Sequence, residues 1–303
     1  MGSKSSICEE VCSLFPRAEN FYDLFGGGFS ITHFMLKHRS SHYKQFHFNE
    51  IRPGVCDVIK DAIAGRYNYD VYLPPWISRD EFHARKESEP MVKLLWSFGN
   101  DGKSYMFGKD IEQYKRSLHN AVVFNEFDAT AREVLSMDRF RDGFTVTDRR
   151  LFLRAKMRQN NPGMKQGEMQ RLRQLQQLEG LERLQQLERL ERQPAFYSGD
   201  YRRVEIKPDS VVYCDIPYAG TAEYDKNKAF DRGAFLDWAD AMEAPVYISE
   251  YAINDARFKC ISNHEKVSMF RVTGDTRVIK IEKVYVNRAG YARLMSSRRT
   301  ATM

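Results

Sequence analysis

The stretch that most constrains this chain is 211–218, Val-Val-Tyr-Cys-Asp-Ile-Pro-Tyr. The apolar run Val211, Val212, Tyr213 is the pattern of a strand buried on both faces, as in a parallel sheet. It ends at Asp215, where a carboxylate, a proline and an aromatic ring fall within four residues. Proline cannot continue a central strand, so the chain must leave the sheet there. In open α/β sheets ligands bind outside the carboxyl ends of the strands. Asp215, Ile216, Pro217 and Tyr218 are therefore the first candidate site.

The chemistry these groups suit is methyl transfer to an exocyclic amino group. The lone pair of such an amine is delocalised into the ring, which makes it a poor nucleophile. Two acceptors, the Asp215 carboxylate and the Ile216 carbonyl, can bind its two N–H groups and draw the nitrogen toward pyramidal geometry. Pro217 stiffens the loop, and Tyr218 offers a face for a flipped base. No strong base is needed, because the amine proton becomes acidic only as the methyl arrives. Positioning supplies most of the rate.

A second element lies near the start. The segment 21–30, Phe-Tyr-Asp-Leu-Phe-Gly-Gly-Gly-Phe-Ser, reads as a short strand and a glycine turn, with a helix from Ser30 to Lys37. Glycines let a backbone approach a ligand closely. The alternating run 46–50, Phe-His-Phe-Asn-Glu, is a second strand ending on a carboxylate at the spacing that commonly holds a ribose hydroxyl pair. Gly-x-Gly-x-x-Gly is absent and no Lys-Ser/Thr follows the glycines, which disfavours dinucleotide and P-loop readings.

Together these elements resemble the D12-class (Dam-like) adenine-N6 DNA methyltransferases. Asp-Ile-Pro-Tyr differs at one position from their Asp-Pro-Pro-Tyr, and that position acts through its carbonyl. Phe25-Gly26-Gly27-Gly28 is similar to their motif I, with Gly26 in its open position. Asp23 stands where the family has Glu, and Glu50 where it has Asp on the cofactor ribose. Gly2-Ser3-Lys4 resembles their N-terminal Gly-Gly-Lys, although the aromatic residue four positions before that lysine has no counterpart here. The resemblance implies a Rossmann-like α/β sheet with an inserted, mainly helical target-recognition domain. It implies S-adenosylmethionine held by Lys4, Asp23, Phe25, Gly26, Gly28 and Glu50, with Asp215 near the methyl, and no metal. Double-stranded DNA is the implied partner, bound by a monomer in the cytoplasm of a bacterial or phage-infected cell.

At 303 residues the chain can bury a main domain plus an inserted one. Its net charge of +6 is compatible with nucleic acid without requiring it. The five cysteines show no Cys-x-x-Cys spacing and read as reduced thiols of a cytosolic protein. No apolar stretch long enough to span a membrane is present, and no signal peptide is visible.

Between the two motifs, residues 55–165 read as the target-recognition region. Residues 93–107 form two apolar-aromatic runs around Gly-Asn-Asp-Gly, which predicts a hairpin. Lys103 and Tyr105 on it are candidate DNA contacts, beside a plain structural role. The densest basic stretch includes Arg149, Arg150 and Arg154, on a helix capped by Thr147 or Asp148 and running to about Gln159. These side chains would meet phosphates, or form a solvated face. Leucine then recurs every third residue from Leu172 to Leu190. That period walks around a helix and makes no single stripe, so 166–193 reads as a low-complexity, solvated insertion, with dimerisation as its alternative.

The catalytic domain is expected to comprise 1–54 and 199–290. A helix is expected within 224–241, a buried strand at 245–251 ending on Ser249 and Glu250, and an antiparallel pair at 266–270 and 277–286. A basic tail at 291–303 is expected to be disordered. Cytosine-N4 methylation and a DNA-binding homologue without turnover are the rival readings.

Overall fold

The computed structural model describes residues 4, 7–98, 101–156, 175–218, 230–271 and 277–300, with the side chains at 266–271, 277–280 and 297–300 outside the description. Two compact units divide the chain. One comprises Gly2–Cys56 with Leu190–Met303, and the other Asp57–Arg189.

The first unit is built on a seven-stranded sheet. Its strands are β1 (Asn20–Asp23), β2 (Gln45–Glu50), β3 (Ala195–Ser198), β4 (Ser210–Cys214), β5 (Val246–Glu250), β6 (Lys259–Arg271) and β7 (Arg277–Val286). They lie in the order β3-β2-β1-β4-β5-β7-β6. The pairs β1–β2, β2–β3, β1–β4 and β4–β5 are parallel, and β7 runs antiparallel to β5 and β6. This is the expected Rossmann-like α/β sheet. Every residue of β1, β4 and β5 is buried, which is why these strands read as continuous rather than alternating patterns. The chain steps outward from β1 to β3, then returns to β4 on the other side of β1, so the direction of winding reverses between β1 and β4.

Two expectations are corrected in this unit. A strand, Ala195–Ser198, precedes the boundary expected at residue 199, and the sheet unit resumes at Leu190. The tail is not disordered throughout: a helix occupies Arg288–Thr300, and Arg293 reaches the Arg17 carbonyl. The N-terminal helix is short, Cys8–Ser13, and Ile7, Val11 and Phe15 in and beside it are buried. The Gly2-Ser3 pair, the start of the leucine repeat and residues 224–229 lie outside the described residues.

The second unit is helical, with helices at Arg79–Arg85, Pro90–Trp96, Glu112–Phe124, Ala129–Leu135, Val146–Lys156 and Gln176–Gln185. Local chemistry sets their ends. Ser78 and Glu81 form a capping box, Pro90 opens its helix, and Asp128 caps the Ala129–Leu135 helix by accepting the Ala131 N–H. Among the described residues at 93–107 the expected pair of strands is not formed. Leu94, Leu95 and Trp96 finish a helix, and the antiparallel contact reduces to one bridge between Ser97 and Tyr105. The cap of the Val146–Lys156 helix is Thr145, which exchanges hydrogen bonds with Asp148, rather than Thr147 or Asp148.

From Leu175 on, the described part of the leucine repeat is not a solvated insertion. Leu175, Leu178, Leu181 and Leu187 are 4% exposed or less and join the apolar core of this unit. Each step of three residues turns the side chain back by about 60° on an α-helix, so three successive leucines still share a broad face. The chain then tightens into a 3₁₀ turn, Gln186–Arg189, where a step of three is a full turn. Leu187 is thereby returned to the buried side.

Candidate active site

The reversal between β1 and β4 is where a crevice opens at the carboxyl ends of a doubly wound sheet. Asp23 pairs with Tyr213 across the two strands, and the Leu24 N–H continues the ladder to the Tyr213 carbonyl. The glycine loop 26–28 and the segment 215–218 therefore emerge side by side. The sheet brings together Lys4, Asp23, Phe25, Gly26, Gly28, Glu50 and Asp215–Tyr218 in one unit.

The glycine loop is held from β2. Gly26 N–H donates to the Asn49 carbonyl at 3.0 Å, and Gly27 N–H donates to Glu50 Oε2 at 2.7 Å. Gly27 has φ +55°, a conformation that favours glycine. Glu50 Oε1 accepts from Arg52 through its backbone and its Nε, both at 2.9 Å. A carboxylate offers about four lone-pair sites, so Glu50 keeps capacity for further donors. Buried Asn49, which the sequence pattern does not single out, donates to the Leu24 and Gly199 carbonyls and ties the ends of β1 and β3. Phe25 packs among Tyr201, Phe230 and Phe235.

Asp23 is 1% exposed, and its Oδ2 accepts from Thr32 Oγ1 at 2.8 Å. Its Oδ1 has no hydrogen-bond partner among the described residues. Burial, reinforced by the Asp215 and Glu50 charges, pushes its carboxyl up to about 7. A buried acceptor of this kind suits a cationic or N–H-bearing ligand.

Asp215 divides its two oxygens. Oδ1 lies 3.0 Å from Lys4 Nζ and accepts from Tyr218 Oη at 3.1 Å. Among the described residues no hydrogen bond reaches Oδ2, and the side chain is 26% exposed. Burial raises the Asp215 carboxyl above its ordinary range, with Lys4 opposing and Glu282 assisting. Lys4 is itself buried and pairs with Glu282 of β7 while donating to Tyr218 Oη. Burial works to lower the Lys4 ammonium, but the Asp215 and Glu282 charges outweigh it and the net shift is upward. Burial and the Asp215 charge drive the Tyr218 phenol far above its usual value. Ile216 is 1% exposed and sits in the apolar cluster with Leu24, Phe235 and Ile248. An isoleucine is thus accommodated by packing.

Three further residues were not found from the sequence. Glu282 is one of a run of alternating strand residues with nothing to mark it. Tyr251 lies beside Tyr218, ring centroids 4.5 Å apart. Arg232, at the start of the helix Arg232–Ala241, donates to the Pro217 carbonyl at 2.7 Å and to Glu250 at 2.5 Å. Ser249 and Glu250 are both buried, Ser249 with Tyr213 Oη and Glu250 with Arg232.

The candidate DNA contacts lie in the helical unit, and two are corrected. Tyr105 is buried against Phe82, Trp96 and Phe107, and its hydroxyl donates to the Ile77 carbonyl at 2.6 Å. Arg150 is 8% exposed, bound in two-pronged fashion to Glu182 at 2.8 and 2.5 Å. Neither offers surface to a phosphate. Arg149 reaches the Val122 and Val123 carbonyls, at the end of the Glu112–Phe124 helix. Arg154 is 38% exposed and Lys103 is exposed. Among the described residues no cluster of His, Cys, Asp and Glu could hold a metal, the cysteines are free thiols, and no helix is long and apolar enough to cross a membrane.

The fold defines a Rossmann-like α/β unit whose candidate site lies at its switch point. Two solved structures of an rRNA methyltransferase, aviRa from Streptomyces viridochromogenes, match this chain. One covers 95% of this chain and 84% of its own at 12% identity and TM-score 0.34; the other covers 94% and 82% at 14% identity and TM-score 0.33. A likeness of that degree assigns no residue a role, and the fold class rests on the strand order. No family model and no curated protein matches the chain.

Proposed function

We propose that this protein transfers a methyl group from S-adenosylmethionine to the N6 amino group of adenine in DNA, with the base flipped out of the duplex. The observation that carries the reading is the Asp215 carboxylate beside the glycine loop, with Oδ1 engaged by Lys4 and Tyr218 while no described residue bonds Oδ2. That leaves an acceptor for one amine N–H, and the Ile216 carbonyl is the second. The residues present suit the cofactor: an unpartnered buried Asp23 oxygen, a glycine backbone open to close approach, and a Glu50 carboxylate with lone pairs to spare. When bound, S-adenosylmethionine supplies a methyl group on a cationic sulfonium. Glu50 would hold the ribose hydroxyls, Asp23 and Asp215 would offer acceptors to the cation, Tyr218 would offer its ring to the base, and the Asp215 carboxylate and Ile216 carbonyl would orient the amine lone pair.

The test is transfer from labelled S-adenosylmethionine to unmethylated bacterial DNA, followed by nucleoside analysis. Label in N6-methyladenine is the expected result. Label in N4-methylcytosine would change the base and retain the chemistry. Label only in RNA, or none with the cofactor bound, would overturn the reading.

A further inference from the structure

We propose that Arg232 is a positioning residue that fixes the two carbonyls of the Asp-Ile-Pro-Tyr segment, with buried Glu250 as its anchor. The proposal rests on the methyl-transfer reading and extends it to a residue outside the motif. Arg232 donates from Nη2 to the Pro217 carbonyl at 2.7 Å and from Nη1 to Glu250 Oε2 at 2.5 Å. Glu250 is 0% exposed at the carboxyl end of β5, and its Oε1 also accepts the Tyr251 N–H at 2.7 Å. The guanidinium is therefore held on one side by the sheet and holds the loop on the other.

Its effect on chemistry passes through Pro217. The pyrrolidine ring locks φ, so the peptide plane carrying the Ile216 carbonyl is linked to the plane carrying the Pro217 carbonyl through one free rotation, ψ of Pro217. Fixing the second carbonyl from Arg232 removes that rotation. The Ile216 side chain, buried at 1% exposure, anchors the other end. Both ends being fixed, the Ile216 carbonyl keeps its aim at the amine. A planar guanidinium can bind a carboxylate and a carbonyl at once through separate nitrogens, whereas an ammonium is a compact point charge.

Arg232→Lys separates this role from simple charge balance, since it keeps a cation opposite Glu250. Two readouts are made on the full chain: amide hydrogen exchange at Ile216 and Tyr218, and steady-state methyl transfer. The expected result is exchange about tenfold faster, kcat lower by about 10- to 100-fold, and KM for S-adenosylmethionine within about threefold of wild type. Glu250→Gln, which keeps the shape and weakens the anchor, is expected to move both readouts in the same direction by less. Exchange at the wild-type rate in Arg232→Lys would overturn the clamp, as would unchanged kcat in an active enzyme. Wild-type protein that binds the cofactor but transfers no methyl would sink the functional reading instead, and the exchange rates would still decide whether Arg232 holds the loop.

Discussion

Gly26 and Phe48 pack so closely that a Cβ built on the glycine would fall 1.9 Å from Phe48 Cε2. The bare backbone at Gly26 is thus required by the neighbouring strand, independently of any ligand. Gly28, two residues on, has nothing within 4 Å of the same construction. Gly26→Ala should therefore destabilise the sheet unit by about 1–3 kcal/mol through overpacking. Gly28→Ala should stay within about 0.5 kcal/mol. Chemical denaturation of the two variants checks both values. If Gly28→Ala folds normally and still loses cofactor affinity, close approach of a ligand to the loop is the remaining cause.

Asp23 makes a pH prediction with a definite sign. Its folded carboxyl titrates near 7 against an ordinary value of 3.8, so the native state binds more protons between those values and stability falls as pH rises through that window. Asp23→Asn removes the effect and still accepts from Thr32. The variant should gain on wild type progressively from pH 4 to pH 7, reaching on the order of 4 kcal/mol, with no gap below pH 4. His47 and His119, each lowered to about 4 chiefly by burial, slope the opposite way below pH 6.5 in both proteins, so the difference between the two unfolding curves isolates Asp23.

Asp215→Ala removes the acceptor proposed for the amine while Glu282 still neutralises Lys4. Turnover should fall by about 100-fold or more, and DNA affinity should stay within about threefold because phosphate contacts dominate it. Gel-shift titration beside methyl-transfer kinetics separates the two. A parallel loss of DNA binding would mean the carboxylate supports the interface rather than the reaction.

The leucine repeat yields a stability prediction. Leu178→Ala and Leu181→Ala each empty a fully buried position and should destabilise by about 2–5 kcal/mol. Leu190→Ala, at a partly exposed position, should change stability by about 1 kcal/mol or less. Equal, small effects at all three would restore the solvated insertion.

Much of the sheet was legible because its signals are local. The apolar run at 211–214 and the proline at 217 specify a buried strand and its end whatever surrounds them, and the glycines at 26–28 mark a turn by their freedom of φ. Errors arose where a local pattern admits two outcomes that only packing separates. Leu94-Leu95-Trp96 satisfies a strand as well as a helix end, and here Val92, Leu95 and Trp96 pack as one helix face into the apolar cluster with Tyr105 and Phe107. Arg150 and Tyr105 have the composition of a nucleic-acid surface, but Glu182 and the ring cluster around Trp96 take them inward.

The sequence by itself determined the sheet elements other than β3, the glycine loop and the Asp-Ile-Pro-Tyr segment, since each depends on residues adjacent in the chain. Only the tertiary structure decided that Lys4 and Glu282, 278 positions apart, meet beside Asp215, and that Arg232 spans from Glu250 to the Pro217 carbonyl. Such pairings depend on strand order. The placement of β7 beside β5 brings Glu282 to the site, and a charge on an alternating strand carries no mark of the partner it will meet.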